Sequence, residues 1–197
     1  MSLAKEKPAK PVEDNTATIM QLTLAANRIA GQDQHVNAYE MRNRKLEERR
    51  KARVRYKNGL TLPASAEKLA ADAARKVRHS RTLDRNIRNA TGTTRHTLAD
   101  AHHIVSSGHP RAEESRRILF DWGIGINDAD NGVYLPKKWL PKLQGLEKAT
   151  AHEMIHSPDY YFEVEARLAV IQFEDTQIGR LTLREIKGEI LLDQFVY

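Results

Sequence analysis

No cysteine occurs in the 197 residues, which removes disulfides, thiol nucleophiles and thiolate-bound zinc and leaves histidine and the carboxylates as metal ligands. No run approaches the ~18 apolar residues that a membrane span needs. The opening MSLAKEKPAKPVEDN lacks the apolar centre of a secretory signal, so export by a signal peptide is not expected. No internal repeat is visible, and the length suits one ordinary domain with an added helical segment, able to bury a core without staples.

The formal net charge of +6 hides an asymmetry. Residues 1–98 hold 21 Lys/Arg against 10 Asp/Glu, whereas residues 99–197 hold 11 against 16. A basic half of this kind suits contact with phosphates, although arginine-rich helices also present such charges simply to solvent.

Residues 1–13, rich in Lys, Pro and Glu, have almost nothing to bury and predict a mobile tail. Asp14 or Asn15 can cap a helix through Ile19, Leu22, Leu24 and Ile29 that ends at Gly31. AYEMRNRKLEERRKARVRYK, at 38–57, has nine basic and three acidic residues, a pattern that can be helical but cannot form a core; Asn58-Gly59 breaks it. A further helical stretch runs from about Ser65 into RTLDRNIRN, and TGTT at 91–94 reads as a linker. The expected division is therefore a tail at 1–13, a basic helical region at 14–94 and a second domain at 95–197.

Beyond the linker, Leu98–Val105 is a short segment holding a histidine pair, with His103-Ile104-Val105 reading as a strand. Pro110, Glu113 and Glu114 open a helix with Ile118, Leu119 and Trp122 on its core face, and Gly123 ends it. GINDADNG forms a turn-rich loop before a short strand at Val133-Tyr134-Leu135, ended by Pro136. Leu143–Ile155 reads as a helix stopped by Ser157-Pro158, with two more helices at Tyr160–Phe173 and Leu183–Leu192. The fold class is α+β and mostly helical.

Five of the eight histidines lie between His102 and His156, and histidine both binds transition metals and moves protons near neutrality. His152 and His156, four apart in a helical stretch, share one face and can hold one ion. His102 and His103 are consecutive on a strand, so they point to opposite faces. One of them can complete the metal site while the other faces substrate and takes a proton from water. Asn131, opening the next strand, could hold the catalytic imidazole, although Asn-Gly is also an ordinary turn dipeptide.

His152-Glu153-Met154-Ile155-His156 is also a literal H-E-x-x-H, the zinc-peptidase pattern. A third ligand would have to come from Glu163, Glu165, Glu174 or Glu185. The extended form is absent, since Asp159 and Phe162 occupy its places. A peptidase would leave His102, His103, Asn131 and the basic half without work. A non-catalytic nucleic-acid-binding protein with structural zinc is a further alternative, but such a site would be closed by four protein ligands, not three.

ADAHHIVSSGHPRAEESRRILFDWGIGINDADNGVYLP followed by HEMIHSPDYY resembles the AHH branch of the HNH/endonuclease VII superfamily over about Ala99–Val170. The resemblance implies a ββα-metal finger with an inserted helix, preceded by basic helices and followed by C-terminal ones. It implies His102, His152 and His156 as ligands of one divalent ion, His103 as general base and Asn131 as the orienting asparagine. Arg116 falls among framework positions that can also reach a phosphate; with Arg49, Arg50 and Arg53 it is a candidate nucleic-acid contact. The implied reaction is in-line hydrolysis of a phosphodiester, leaving 5′-phosphate and 3′-hydroxyl ends. Three imidazoles favour zinc or nickel, and open positions also admit magnesium.

The same resemblance reaches nuclease modules of bacterial toxins, including effectors of type VI or contact-dependent secretion. It implies DNA as substrate with RNA as the alternative, a cognate acidic immunity protein, and delivery into a target-cell cytoplasm; a cytoplasmic housekeeping nuclease is the other possibility.

Overall fold

The computed structural model describes residues 37–51, 53–138 and 143–196, together with Ala25 and Arg28. The expected tail at 1–13 and the positions Ile19, Leu22, Leu24 and Ile29 of the first expected helix lie outside the described residues. The chain divides into two compact units, Met1–Lys51 and Ala52–Tyr197. In the first, residues 37–51 form a helix, α1, exposed on every side, as its lack of an apolar face dictates.

The second unit opens with a hairpin, β1 (Tyr56–Lys57) and β2 (Leu60–Thr61). Its turn is Asn58-Gly59, both residues at positive φ (51° and 80°), the combination that matches hairpin twist. This pair therefore reverses a strand where a mere helix break was expected. The hairpin tip sits against the next helix so closely that a Cβ on Gly59 would lie 2.1 Å from the carbonyl oxygen of Asn86.

The single helical stretch expected from Ser65 is two helices, α2 (Ala66–Ala73, capped by Ser65) and α3 (His79–Thr91, closed by Gly92). The turn between them lets His79 bury its ring, with Nε2 donating to the carbonyl of Arg75. After TGTT, β3 (Ala99–His103) pairs antiparallel with β4 (Gly132–Pro136), His102 opposite Val133 and His103 opposite Gly132. Between them a 3-10 turn at Pro110–Ala112 feeds α4 (Glu113–Asp121), with Gly123 at φ 72° just beyond it. Ile118, Leu119 and Trp122 are buried, as their spacing predicts. Leu83 and Ile87 of α3 pack on Tyr134 of β4, so 91–94 joins elements inside one unit.

The helix expected over Leu143–Ile155 is not formed; only His152–Met154 makes a 3-10 turn. Gly145 takes φ 78°, and the Thr150 N–H and hydroxyl bond to Ile190 O and Asp193 Oδ1 near the end of the last helix. Backbone groups committed to another element cannot close a helix of their own. Ser157-Pro158 is a start, not a stop: Ser157 Oγ accepts from the Tyr160 N–H, and α5 runs Pro158–Val170. The last helix, α6 (Thr176–Leu191), is capped by Asp175 and begins two turns before the expected Leu183. The principal core draws on α2, β4, α4, α5 and α6 and on Ile104 and Val105 just past β3, with Ile118, Leu119, Leu135, Tyr160, Leu168 and Leu183 all fully enclosed.

Residues 124–131 form a loop that is buried throughout. Asp128 accepts from the N–H and hydroxyl of Thr61 (2.7 and 2.6 Å) and from both terminal nitrogens of Arg180 (3.0 Å each). Asp130 accepts from Arg180 (2.6 Å) and Arg184 (2.8 Å), and Lys187 Nζ donates to Ala129 O. The loop is thus clamped between the β1–β2 hairpin and α6.

Two measurements test these supports. Burial opposes ionisation of Asp130, but bonds from Arg184 and Arg180 outweigh it and hold the carboxyl below its usual range. A depressed acid stabilises the fold fully above the ordinary value of about 4 and loses that contribution as pH falls through the lower folded value. Asp130→Asn should lower stability near pH 7 by about 2 kcal/mol and flatten the decline below pH 4; parallel acid-unfolding curves would refute this. At Gly132 a Cβ would lie 2.5 Å from Leu83 Cδ1 and 2.9 Å from Ile87 Cδ1. Gly132→Ala should cost about 1–3 kcal/mol, and Leu83→Ala added to it should cost less than it does in the parent; strict additivity in urea melts would reject the steric account.

Candidate functional site

Strand geometry sends His102 and His103 to opposite faces of β3. His102 is 3% exposed, and its ring centroid lies 5.1 Å from those of both His152 and His156. The three residues each offer a ligand atom, all within 4.8 Å of one another. His152 sits in the 3-10 turn and His156 just ahead of the Ser157 cap, so the pair expected on one helix face converges from a tight turn.

The donor set fits one divalent ion. The Nε2 atoms of His152 and His156 are 3.2 Å apart; with metal–nitrogen bonds of ~2.0–2.1 Å this spacing subtends roughly 100°, near the tetrahedral angle. The other ring nitrogens have partners of the kind that orient metal ligands. His152 Nδ1 lies 3.5 Å from Asp100 Oδ2, and His156 Nδ1 lies 2.9 Å from Tyr161 Oη. Tyr160 gives its hydroxyl proton to Ile104 O (3.0 Å), so toward His102 Nε2 (3.2 Å) it accepts. That leaves the His102 Nδ1 lone pair available. Burial first, and then His152, His156 and His103, hold the His102 pKa well below its usual value. Burial, with His152 and His109 beside it, lowers that of His156 too. Neutral imidazoles are the form that binds metal.

His103 faces a different set of groups. Its Nε2 is 3.2 Å from Asn127 Oδ1, and Asn127 Nδ2 is 3.1 Å from His79 Nδ1. Because His79 Nε2 donates to a carbonyl, neutral His79 accepts at Nδ1 and the Asn127 amide donates there. Its oxygen is left to take the His103 Nε2 proton. Asn86 Nδ2 holds the Asn127 carbonyl at 2.7 Å. Burial outweighs the Asn127 bond and pushes the His103 pKa down to about 4, so the ring is neutral near pH 7 with its lone pair on Nδ1.

Asn131 is engaged otherwise than expected. Its Oδ1 accepts from the Val105 N–H (2.8 Å), and its Nδ2 donates to Val105 O (3.2 Å) and Ile126 O (2.8 Å). It clasps the backbone just past β3, and the amide that meets the imidazole is Asn127, four residues earlier. Arg116 Nη1 donates to Ser106 O and His109 O, holding the loop in which His109 stacks on Tyr161 at 4.1 Å. Arg49 and Arg50 lie on α1, while Arg53 is exposed in the second unit. The helix required by the peptidase pattern is absent, since His152–Met154 is a single 3-10 turn and Glu153 is exposed.

Asp100, Asn127, His79, Tyr160 and Tyr161 were not singled out by sequence. Asp100 carried a signal, being two residues before His102 and so on the same strand face. Tyr161 lies only five residues beyond His156, while Asn127, His79 and Tyr160 meet the site through tertiary folding.

A model of the AHH family, described as a nuclease family of the HNH/ENDO VII superfamily with conserved AHH, matches residues 83–190. The match carries the Ala101-His102-His103 triplet and reaches further in both directions than Ala99–Val170, taking in most of α3 and α6. No curated protein and no solved structure matches the chain. Nucleases of this superfamily use a divalent metal, and the chain belongs to the AHH nuclease family of the HNH/ENDO VII superfamily.

Proposed function

We propose that this nuclease is a metal-dependent endonuclease that hydrolyses phosphodiester bonds of DNA, with His102, His152 and His156 holding one divalent ion and His103 acting as general base. The observation that carries the reading is the convergence of three imidazoles within 4.8 Å, with a fourth on the neighbouring strand position held by an amide. A divalent ion at that cluster supplies Lewis-acid stabilisation of charge at the scissile phosphate and the departing 3′ oxygen. Zinc or nickel suits three imidazoles, and magnesium serves where water and phosphate oxygens complete the shell. Neutral His103, its Nε2 proton pinned on Asn127, takes a proton at Nδ1 from the attacking water, whose oxygen bonds to phosphorus in line. The products are 5′-phosphate and 3′-hydroxyl ends.

In this scheme β3, β4 and the histidine turn ahead of α5 form the finger, Asn127 fixes the tautomer of the base, and Asn131 fixes the strand end that presents it. Arg49, Arg50 and Arg53 serve as phosphate contacts, while the bonds of Arg116 favour loop support. Three protein ligands leave ion positions open for substrate, which favours catalysis over a closed structural zinc site.

We further assign the chain to antibacterial effectors delivered into a target-cell cytoplasm, on the strength of the nuclease family and the toxin modules its sequence resembles. An immunity protein with an acidic face would restrain it in the producing cell, matching the basic pI near 9.5. Expression without that protein should arrest growth with loss of DNA, and the His103→Ala form should not; equal toxicity of both would reject the assignment.

Incubation with plasmid, RNA and casein, each with magnesium, zinc or chelator, tests the enzyme class. Plasmid should be cut only with metal. His103→Ala should slow cleavage by about 10²–10⁴-fold and Asn127→Ala by about 10–100-fold, while Glu153→Ala should cut normally. Casein digestion that Glu153→Ala abolishes would make the protein a peptidase. Zinc titration should show one ion per chain and raise the melting temperature, with about 2.7 kcal/mol gained at a hundredfold excess over Kd. A His152→Ala/His156→Ala protein that is stabilised equally would remove the proposed metal centre.

A further inference from the structure

In the second unit seven of the fourteen arginines are engaged. Arg75, Arg95, Arg117, Arg167, Arg180 and Arg184 pair with carboxylates, and Arg116 holds two carbonyls. Arg78, Arg81, Arg85 and Arg88 make no ion pair or side-chain hydrogen bond among the described residues, and all four are exposed. Steps of four and three residues place Arg81, Arg85 and Arg88 on one face of α3, opposite the buried His79, Leu83, Asn86 and Ile87, and Arg78 is the residue that precedes its first turn. The single acid of α3, Asp84, is taken by Arg95 and by Tyr134.

This row of free cations adjoins both halves of the site. On one side Arg85 joins Arg53 and Arg75 around a recess of about 200 Å³ that reaches Asn127, the partner of His103. On the other, Arg81 and Ser80 border a recess of about 340 Å³ that reaches His152. Resting on the nuclease reading above, we propose that α3 is the track for duplex DNA, with Arg78, Arg81, Arg85 and Arg88 contacting backbone phosphates of the strand that leads into the histidine site.

Three features select a duplex and a sequence-independent grip. The four positions span about 15 Å of helix, the axial length of about four phosphates on one strand. The row is a straight, convex ridge, which follows a rigid backbone and cannot wrap a flexible strand. No aromatic residue lies on α3, so the stacking that holds single-stranded bases is missing there. Guanidinium groups that bind backbone phosphates position a duplex and carry no sequence information.

The test uses the full-length His103→Ala protein, which binds without cutting, and labelled 25-base-pair duplexes of two unrelated sequences beside single strands of equal length. Affinity is followed by anisotropy across salt concentrations. The parent should bind both duplexes equally. Changing Arg78, Arg81, Arg85 and Arg88 together to Gln should lower the steepness of log K against log salt by about 2–3.5 and weaken duplex binding roughly 50-fold or more at 0.1 M salt. Changing the same four to Lys should restore most of the slope, which a merely structural role would not predict. Lys57→Gln/Lys148→Gln, removing charge elsewhere, should shift the slope by less than one. An unchanged slope in the Gln set overturns the proposal, as does an equal loss for single strands. If the parent binds no DNA at all, the nuclease reading itself fails, a result distinct from either of those.

Discussion

A loop buried along its whole length must find every hydrogen-bond partner within the protein, because an unpaired polar group there costs more than its bond would have contributed. Residues 124–131 meet that constraint by dividing the labour. Asp128 binds Arg180 and Thr61, Asn131 clasps Val105 and Ile126, and Asn127 joins His103 to His79. The hairpin, α3, β3 and α6 are tied together at this one segment. It is also the segment that decides which nitrogen of His103 carries the proton.

The histidine cluster on the other face of β3 has a separate scaffold. Tyr160 and Tyr161 come from the first turn of α5, and Asp100 comes from the same strand face as His102. Burial keeps His102, His103 and His156 neutral, so two consecutive imidazoles share one protonation state while facing different partners. Neutrality suits both proposed roles: a ligand must offer a lone pair, and so must a base.

Much of this was legible in residue type and spacing. The strand, helix, loop, strand order follows from local pattern, since alternation acts over a few residues, whereas the choice of His102 over His103 as the partner of His152 and His156 rested on the family resemblance. The errors share a cause, which is that the deciding partner lies far along the chain. Leu143–Ile155 has helical composition, but Thr150 bonds to residues 190 and 193. Ser157-Pro158 can end one helix or begin another, and only the accepted Tyr160 N–H tells which. Asn131 and Asn127 are chemically alike, and which of them meets an imidazole depends on His79 and Asn86 of α3. Gly132 looks like a turn glycine and is in fact a strand residue kept bare for Leu83.

The last candidate ligand is His156, yet the chain beyond it is not an appendage. Arg180, Arg184 and Lys187 of α6 neutralise and cap the loop that carries Asn127 and Asn131, and the end of α6 receives the Thr150 bonds that steady the approach to His152. A fragment cut after α5 would retain all three clustered imidazoles and leave two buried carboxylates without counter-ions, collapsing the scaffold from behind. A molecule that pried α6 away would disarm the protein in the same manner without entering its cleft.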